Sequence, residues 1–287
     1  MKKILSILAA ATMLAGVLTI QAPQSQAASG TYLGTYDLRG DGTMQMVYRN
    51  GGKLDIVDSW GGTRSYSFGN TVWAVGPVED MDGVPGKEIS IKAGGDAYII
   101  HDRSNRAVKY PVGGNRSWAI VGTAETNNKP GAELILNIGE GIRVIRDSEG
   151  TYRDYKMPNV SWALAKIADT DGQPGDELIV NGSSRLIIVS DTNGTTREYA
   201  ANSGTWAIID AVDTNGQPGA EVILNFVDKV RIVDDRSRST RDYKMNSYAW
   251  KVTEIVNMDG QPGAEIIIND NTKMRVINDR AGTIYNM

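Results

Sequence analysis

A tryptophan that recurs every 44 or 45 residues, a glutamate 15 residues after each one, and four short β-branched runs in every unit predict an all-β fold. That fold is a six-bladed β-propeller of four-stranded blades, each about 44 residues long. Trp73, Trp118, Trp162, Trp206 and Trp250 set the register, and Glu88, Glu133, Glu177, Glu221 and Glu265 follow them. A divergent copy opens the series, with Gly30 where Trp is expected. Units starting near residues 30, 73, 118, 162, 206 and 250 fill one domain from 28 to 287. A pair of β-sandwiches would also be all-β, but would not hold a single register along the whole chain.

The first element lies outside that domain. Met1-Lys2-Lys3, an apolar run from Ile4 to Ile20, and Ser25-Gln26-Ala27 have the basic, apolar and small-residue regions of a secretory signal peptide, residues 1–27. The alternative is an uncleaved membrane anchor. Cleavage after Ala27 would remove two lysines, leaving 28 basic against 34 acidic residues and a formal charge of −6. A secreted, extracellular or cell-wall-associated protein is expected. Nucleic acid and anionic membrane surfaces are poor partners for such a charge. No later stretch is long and apolar enough to span a bilayer, and a monomer is expected.

Within a unit the order is strand, acidic loop, strand, turn, strand, turn, strand. In the fifth unit the runs are Trp206 to Val212, Glu221 to Phe226, Val230 to Val233 and Thr240 to Lys244, separated by Gly, Pro, Asn and Asp. No window shows the 3.6 period of a helix. Asp58, Asp102, Asp147, Asp191, Asp235 and Asp279 open the turn between third and fourth strands, where an Asp side chain can bond amides two residues on. Tyr66, Tyr110, Tyr155, Tyr199 and Tyr243 stand eight residues later on the outer strand. Arg153, Arg197 and Arg241 accompany three of them as expected cross-strand pairs. Thr31 to Tyr36 resembles both a first and an outer strand. Pairing with Thr283 to Met287 would fasten first blade to last.

The acidic loop carries the chemistry. Its copies are Asp80-Met-Asp-Gly-Val-Pro-Gly-Lys-Glu88, Glu125-Thr-Asn-Asn-Lys-Pro-Gly-Ala-Glu133, Asp169-Thr-Asp-Gly-Gln-Pro-Gly-Asp-Glu177, Asp213-Thr-Asn-Gly-Gln-Pro-Gly-Ala-Glu221 and Asn257-Met-Asp-Gly-Gln-Pro-Gly-Ala-Glu265. Side-chain oxygens fall at positions 1, 3 and 9. Hard cations such as Ca²⁺ take alternating oxygens of this kind with a late carboxylate. Equally, an Asx turn, a Pro-Gly turn and a Glu that satisfies loop amides make the same sequence without metal.

These units resemble the FG-GAP or VCBS repeats of integrin-type β-propellers, whose loop reads roughly Asp-x-Asp-x-Asp-Gly-x-x-Asp. By that resemblance the candidate Ca²⁺ ligands are Asp80, Asp82 and Glu88; Glu125, Asn127 and Glu133; Asp169, Asp171 and Glu177; Asp213, Asn215 and Glu221; and Asn257, Asp259 and Glu265. The chain departs from the pattern at position 5, where Val84, Lys129, Gln173, Gln217 and Gln261 replace an acidic residue. Weak binding, closer to the millimolar range of extracellular modules, is implied, and Asp169/Asp171/Glu177 is the best loop. The first loop has Arg39 at a ligand position and is expected to bind nothing.

Composition removes other chemistries. With no Cys, disulfides, thiolate metal sites and cysteine nucleophiles are excluded, and with His101 alone a multi-histidine zinc site is excluded too. Oxygen ligands remain. His101 is expected as an exposed turn residue without a nucleophile beside it, and no catalytic residue is identified. An enzyme breaks its own symmetry at the active site, whereas nearly every carboxylate here is a repeat-column residue.

A binding or adhesion module for glycan or extracellular protein is the reading these features favour, and integrin-type propellers and some lectins use the repeat in that way. A calcium-dependent hydrolase or polysaccharide lyase and a structural envelope protein are the alternatives. The Trp column either packs between blades or stacks on sugars at the face formed by 111–116, 157–161, 202–205 and 246–249. Trp60, Tyr152 and Tyr248 are the aromatics expected to be exposed.

Overall fold

The computed structural model describes residues 30–113, 117–158, 161–201, 205–246, 248–271 and 273–287. The expected signal peptide lies outside the described residues, as do 114–116, 159–160, 202–204 and 247 of the loops expected on one face. Six antiparallel sheets of four strands follow one another along the chain. The first blade is β1 (Thr31–Tyr36), β2 (Gln45–Asn50), β3 (Lys53–Val57) and β4 (Thr63–Ser67), and the second is β5 (Trp73–Glu79), β6 (Glu88–Ala93), β7 (Asp96–His101) and β8 (Arg106–Pro111). The third is β9 (Ala119–Ala124), β10 (Glu133–Asn137), β11 (Gly141–Arg146) and β12 (Thr151–Lys156), and the fourth is β13 (Ala163–Ala168), β14 (Glu177–Asn181), β15 (Arg185–Ser190) and β16 (Thr195–Ala200). The fifth is β17 (Trp206–Val212), β18 (Glu221–Phe226), β19 (Lys229–Asp234) and β20 (Ser239–Lys244), and the sixth is β21 (Lys251–Val256), β22 (Glu265–Asn269), β23 (Met274–Asn278) and β24 (Thr283–Asn286). This is a six-bladed propeller architecture with the strand order read from the repeat.

Each first strand meets its second strand through a register shift, such as those between Leu164 and Lys166 and between Ile208 and Asp210. A bulge of this kind bends the strand and increases its twist. In the second blade the shift spans Gly76 and Pro77, a place where proline does not interrupt a ladder.

The core is not inside any sheet but between sheets. Residues two and four of the second strand in blades 2 to 6, such as Ile89 and Ile91 or Leu178 and Val180, are fully buried against the preceding blade. Residue three, such as Ile135 or Ile223, is buried against the next blade. Five apolar layers result, one at each seam from blades 1–2 to blades 5–6. Each fully buried Ile, Leu or Val in them contributes about 1.5–3 kcal/mol.

Three polar devices repeat at those seams. First, each Trp indole donates to a carbonyl in the second-to-third strand turn of the preceding blade: Trp73 to Gly51 (2.9 Å), Trp118 to Gly94 (2.8 Å), Trp162 to Gly139 (3.2 Å), Trp206 to Ser183 (2.6 Å) and Trp250 to Val227 (3.0 Å). The Trp column therefore packs between blades. Second, the amide at loop position 8 donates to the carbonyl at position 1 of the preceding loop, from Lys87 to Asp37 through Ala264 to Asp213, at 2.7–3.1 Å. This close approach explains the Pro-Gly pair. At Gly219, with φ of 100°, a Cβ would stand 2.8 Å from the Gly172 amide nitrogen, and Gly131 and Gly263 meet the same obstacle.

The third device corrects two sequence expectations. The Asp at the third-to-fourth strand turn accepts the turn amide with its backbone carbonyl, as in Gly194 to Asp191 and Gly282 to Asp279. Its carboxylate is left free to take Tyr and Arg from the preceding blade. Tyr155 donates to Asp191 (2.5 Å), Tyr243 to Asp279 (2.7 Å), and Arg241 to both oxygens of Asp279 (2.7 and 2.5 Å). Arg197 pairs likewise with Asp235. Arg153 donates to the Asp191 carbonyl at 2.9 Å. These arginines are seam residues, not cross-strand pairs.

β1 pairs with β2 and β24 with β23, so the expected fastening of Thr31–Tyr36 onto the last strand is not formed. Among the described residues no hydrogen bond or ion pair joins the sixth blade to the first.

Candidate functional site

Two regions at opposite ends of the blades bring chemistry together: the acidic loops and an aromatic cleft. In the loops, positions 1 and 3 act first as turn caps. Asp80, Asp169, Asp213 and Asn257 each accept the amide of position 4 at 2.6–2.8 Å. Asp82, Asn127, Asp171, Asn215 and Asp259 each accept the amide of position 5 at 2.7–3.0 Å. The position 9 glutamate is buried and takes the position 2 amide at 2.7–2.9 Å in all five copies. In the first blade the neutral Gln45 makes the same bond to Leu38 at 2.8 Å, so this bond needs no charge.

The copies separate at the second oxygen of that glutamate. Asn127 and Asn215 turn their amide groups onto Glu133 and Glu221, and Asn278 reaches Glu265 at 3.1 Å. An N–H donor there satisfies the oxygen that a cation would otherwise take. In blade 6 the Arg280 guanidinium also sits 2.7 Å from Asp259. Blades 2 and 4 carry Asp82 and Asp171 at position 3, and there the carboxylates converge instead. Asp169, Asp171 and Glu177 place one oxygen each within 4.8 Å of one another, and Asp82 and Glu88 do so with His101.

Burial, opposed by the Thr170 amide and reinforced by Asp171, pushes Glu177 up to about 7. Asp176, unique among the position 8 residues, is raised by burial and by Asp169 and Glu125. The fourth loop is thus a crowded, under-neutralised group of oxygens, with Arg197 at 3.4 Å from Asp171 as its nearest cation. Its donor set fits Ca²⁺. In blades 3, 5 and 6 an amide nitrogen stands on the position 9 glutamate instead. In the first loop Arg39 lies against Asp58 and Asp102, and its guanidinium also covers the exposed Trp60 ring at 5.6 Å.

His101 was expected on an exposed turn, and this is corrected. It is 2% exposed, at the end of β7. The carboxylates of the neighbouring loop and of the next blade enclose it, a long-range effect that its local sequence does not carry. Tyr152 and Tyr248 are exposed as expected, the latter 82%.

The aromatic cleft lies between blades 5 and 6, at the end of β17 opposite its acidic loop. A seven-residue strand separates the two by about 20 Å. Thr205, Trp206, Ala207, Asn225, Phe226, Val227, Tyr248 and Trp250 line a cavity of about 230 Å³. Trp206 and Phe226 stack with ring centroids 6.3 Å apart and planes at 18°, and Val227 and Tyr248 stand exposed at the rim. Phe226 breaks its repeat column: Ala93, Ile138 and Gly182 occupy its place in blades 2, 3 and 4. Sequence reasoning passed over it, although one of only two phenylalanines in the chain was the available signal.

No protein-family model matches the sequence, and no curated protein matches it either. Solved structures do overlap it. A lectin of Agrocybe aegerita, described as recognising non-reducing terminal N-acetylglucosamine, is 9% identical, with 90% of this chain and 80% of that one covered at a TM-score of 0.45. Virginiamycin B lyase of Staphylococcus aureus is 14% identical, covering 88% and 84% at 0.42. The WD40 domain of SCAP from fission yeast is 14% identical, covering 89% and 66% at 0.39. The architecture assigned to the chain rests on its own six sheets.

Proposed function

We propose that the protein is a secreted recognition module of the cell surface or wall, of the FG-GAP or VCBS repeat type, which binds a glycan in the cleft between blades 5 and 6. The observation that carries this reading is the cleft itself. The exposed Tyr248 and the half-buried Trp206 give ring faces over a floor of the buried Phe226 and Trp250, while Thr205 and Asn225 supply hydrogen-bonding groups at its edge. Amphipathic aromatic surfaces of this kind suit sugar rings, whose C–H faces pack and whose hydroxyls bond at the rim. Phe226 and Tyr248 are also departures from the repeat, and one binding site on a repetitive scaffold needs such departures.

Calcium, in this reading, is held by Asp169, Asp171 and Glu177 of blade 4, far from the cleft. Its work is to neutralise crowded carboxylates and stabilise the folded chain, not to touch ligand.

A glycan array read beside saturable binding to the producing cell's own envelope tests the proposal. Tyr248→Ala removes an exposed ring without touching a seam, so it should weaken glycan binding about tenfold or more with the melting temperature unchanged. Glycan binding that ignores Tyr248→Ala would remove the cleft from the account. Binding to neither array nor envelope, with turnover of a polysaccharide, would replace recognition by catalysis.

A further inference from the structure

The single histidine stands in the column just before the turn aspartate, where other blades carry Val57, Arg146, Ser190, Asp234 and Asn278. At the seams leading into blades 2, 4, 5 and 6, a guanidinium neutralises the turn aspartate. Arg64 serves Asp102 at 2.5 and 2.7 Å, Arg146 serves Asp191 at 2.8 Å, and Arg197 and Arg241 serve Asp235 and Asp279. At the seam leading into blade 3 the outer-strand position is Val108, and no arginine reaches Asp147 among the described residues. His101 stands there instead, with Nε2 2.9 Å from Asp147 Oδ2. Both of those atoms are fully buried and lack a well-aligned hydrogen bond. Asp147 Oδ1 accepts from Tyr110 at 2.6 Å.

The other ring nitrogen points the opposite way. Nδ1 of His101 is 3.2 Å from Asp82 Oδ2 and 3.9 Å from Glu88 Oε1. The other oxygen of Glu88 is taken by the Met81 amide. One imidazole therefore faces three carboxylates, two on one side and one on the other. Glu88 and Asp147 are nearly as buried as His101, with Asp82 partly open.

We propose that Asp82, Glu88 and His101 form a binding site for a zinc-class divalent transition metal, with Asp147 as the carboxylate that orients the histidine from behind. Two ligands bonded at 2.0–2.1 Å in a tetrahedron stand about 3.3 Å apart, close to the observed 3.2 Å between Nδ1 and Asp82. The 3.9 Å separation to Glu88 closes by a small movement of one side chain. A metal-bound imidazole characteristically passes its other N–H to a carboxylate, and Asp147 Oδ2 stands 2.9 Å from Nε2, within reach of that bond.

The mixed nitrogen and oxygen donors favour zinc over calcium, which takes six to eight oxygens. A fourth position faces a cavity of about 520 Å³ lined by Val84, Arg103, Ser104 and Arg106, which gives the ion a route in and room for water. This site is separate from the blade 4 loop and from the aromatic cleft, and it stands or falls without them. It also changes the expectation that only oxygen ligands are available: a lone histidine suffices when the fold buries it between carboxylates.

The test uses tag-free chain stripped with chelator, so that His101 gives the sole imidazole signal in NMR. Titration with zinc should show one equivalent bound with affinity on the order of micromolar or tighter. The imidazole resonances should move with zinc and stay in place with millimolar calcium. His101→Gln should weaken zinc binding about 100-fold or more, and Asp147→Asn, a positioning change, about 10–100-fold. If His101→Gln fails to fold, Asp82→Asn, at a partly exposed ligand, should produce the same loss with the imidazole still observable. Zinc that binds equally well to either ligand variant, an imidazole signal indifferent to zinc, or no binding at about 100 μM zinc would overturn the proposal.

Discussion

The five interior seams and the two terminal faces are built from the same repeat, yet they differ in burial at matching positions. Position 2 of the acidic loop is Leu38, Met81, Thr126, Thr170 and Thr214 in the first five blades, all at most 2% exposed, because the next blade's loop lies over it. In the sixth blade the equivalent Met258 is 45% exposed, and Gly260 has no atom near its missing Cβ where Gly172 and Gly216 meet a proline. On the other terminal face, Met46 and Tyr48 are half-buried where Ile89 and Ile91 are fully buried, and Met44 and Tyr32 are exposed. A side chain in this protein is therefore buried by its neighbouring blade, not by its own sheet, and stability resides in the seams.

The largest test of that contrast is at the turn aspartates. Asp191 is fully buried and serves Arg146, Tyr155 and Thr126 across the blade 3–4 seam. Asp191→Ala should cost about 3–5 kcal/mol in denaturant unfolding, since it strands a largely covered guanidinium and a buried phenol. Among the described residues the Asp58 carboxylate in the terminal blade bonds only Arg39 and Arg64, and both arginines also hold Asp102. Asp58→Ala should cost less than half as much. Equal losses would dissolve the distinction between seam and end.

Apolar truncation gives the next effect. Leu38→Ala, at a fully buried position in the first seam, should lose about 2–5 kcal/mol, whereas Met258→Ala should change stability by no more than about 0.5 kcal/mol. The same loop position is thus tested with and without a covering blade. A comparable loss at Met258 would mean that it is covered in solution.

The contrast also explains what could be read in advance. Strand placement was legible because it depends on local alternation and turn residues: the fifth unit's expected strands match β17 to β20 within a residue at each end. The Asp, Tyr and Arg columns were visible as columns, but their pairing was not. Tyr155 meets Asp191 36 residues on and Arg197 meets Asp235 38 residues on, so the partners belong to adjacent repeats while each column suggests a local role. His101 was misplaced for the same reason, since Asp147 belongs to the next blade. In the candidate site, the five loops looked interchangeable. An amide nitrogen bonded to the position 9 glutamate separates blades 3, 5 and 6 from blade 4, and that distinction needs side-chain positions.

Calcium sharpens the comparison among loops that look alike. If blade 4 binds with millimolar affinity, raising free calcium to ten times the dissociation constant should stabilise the chain by about 1.4 kcal/mol, read as a rise in melting temperature reversed by chelator. Glu177→Gln should abolish that rise while leaving the metal-free protein as stable as before, because Gln45 makes the corresponding bond in blade 1. Glu221→Gln, in a loop where Asn215 already supplies the donor, should leave the calcium response intact. A response lost in both variants, or in neither, would contradict the assignment to blade 4.

The smallest effect belongs to a charge pair that crosses no seam. Asp242 on β20 takes Arg231 at 2.6 and 2.9 Å and Lys229 at 2.6 Å, all within one sheet. The Arg231 hydrogen bonds, partly opposed by burial, bring its carboxyl down to about 2. A depressed folded-state pKa means that the ionised form is the one stabilised, so the contribution is complete above the ordinary value near 3.8 and is lost as pH falls through about 2. Solvent at this partly exposed carboxylate screens the pair, and Asp242→Asn should cost only about 0.5–1 kcal/mol at neutral pH, less at high salt. The gap between the two proteins should close as the pH is lowered from 4 to 2. A loss as large as that of Asp191→Ala would mean that pairs inside a sheet matter as much as those between sheets, and the seam would cease to be the unit of stability.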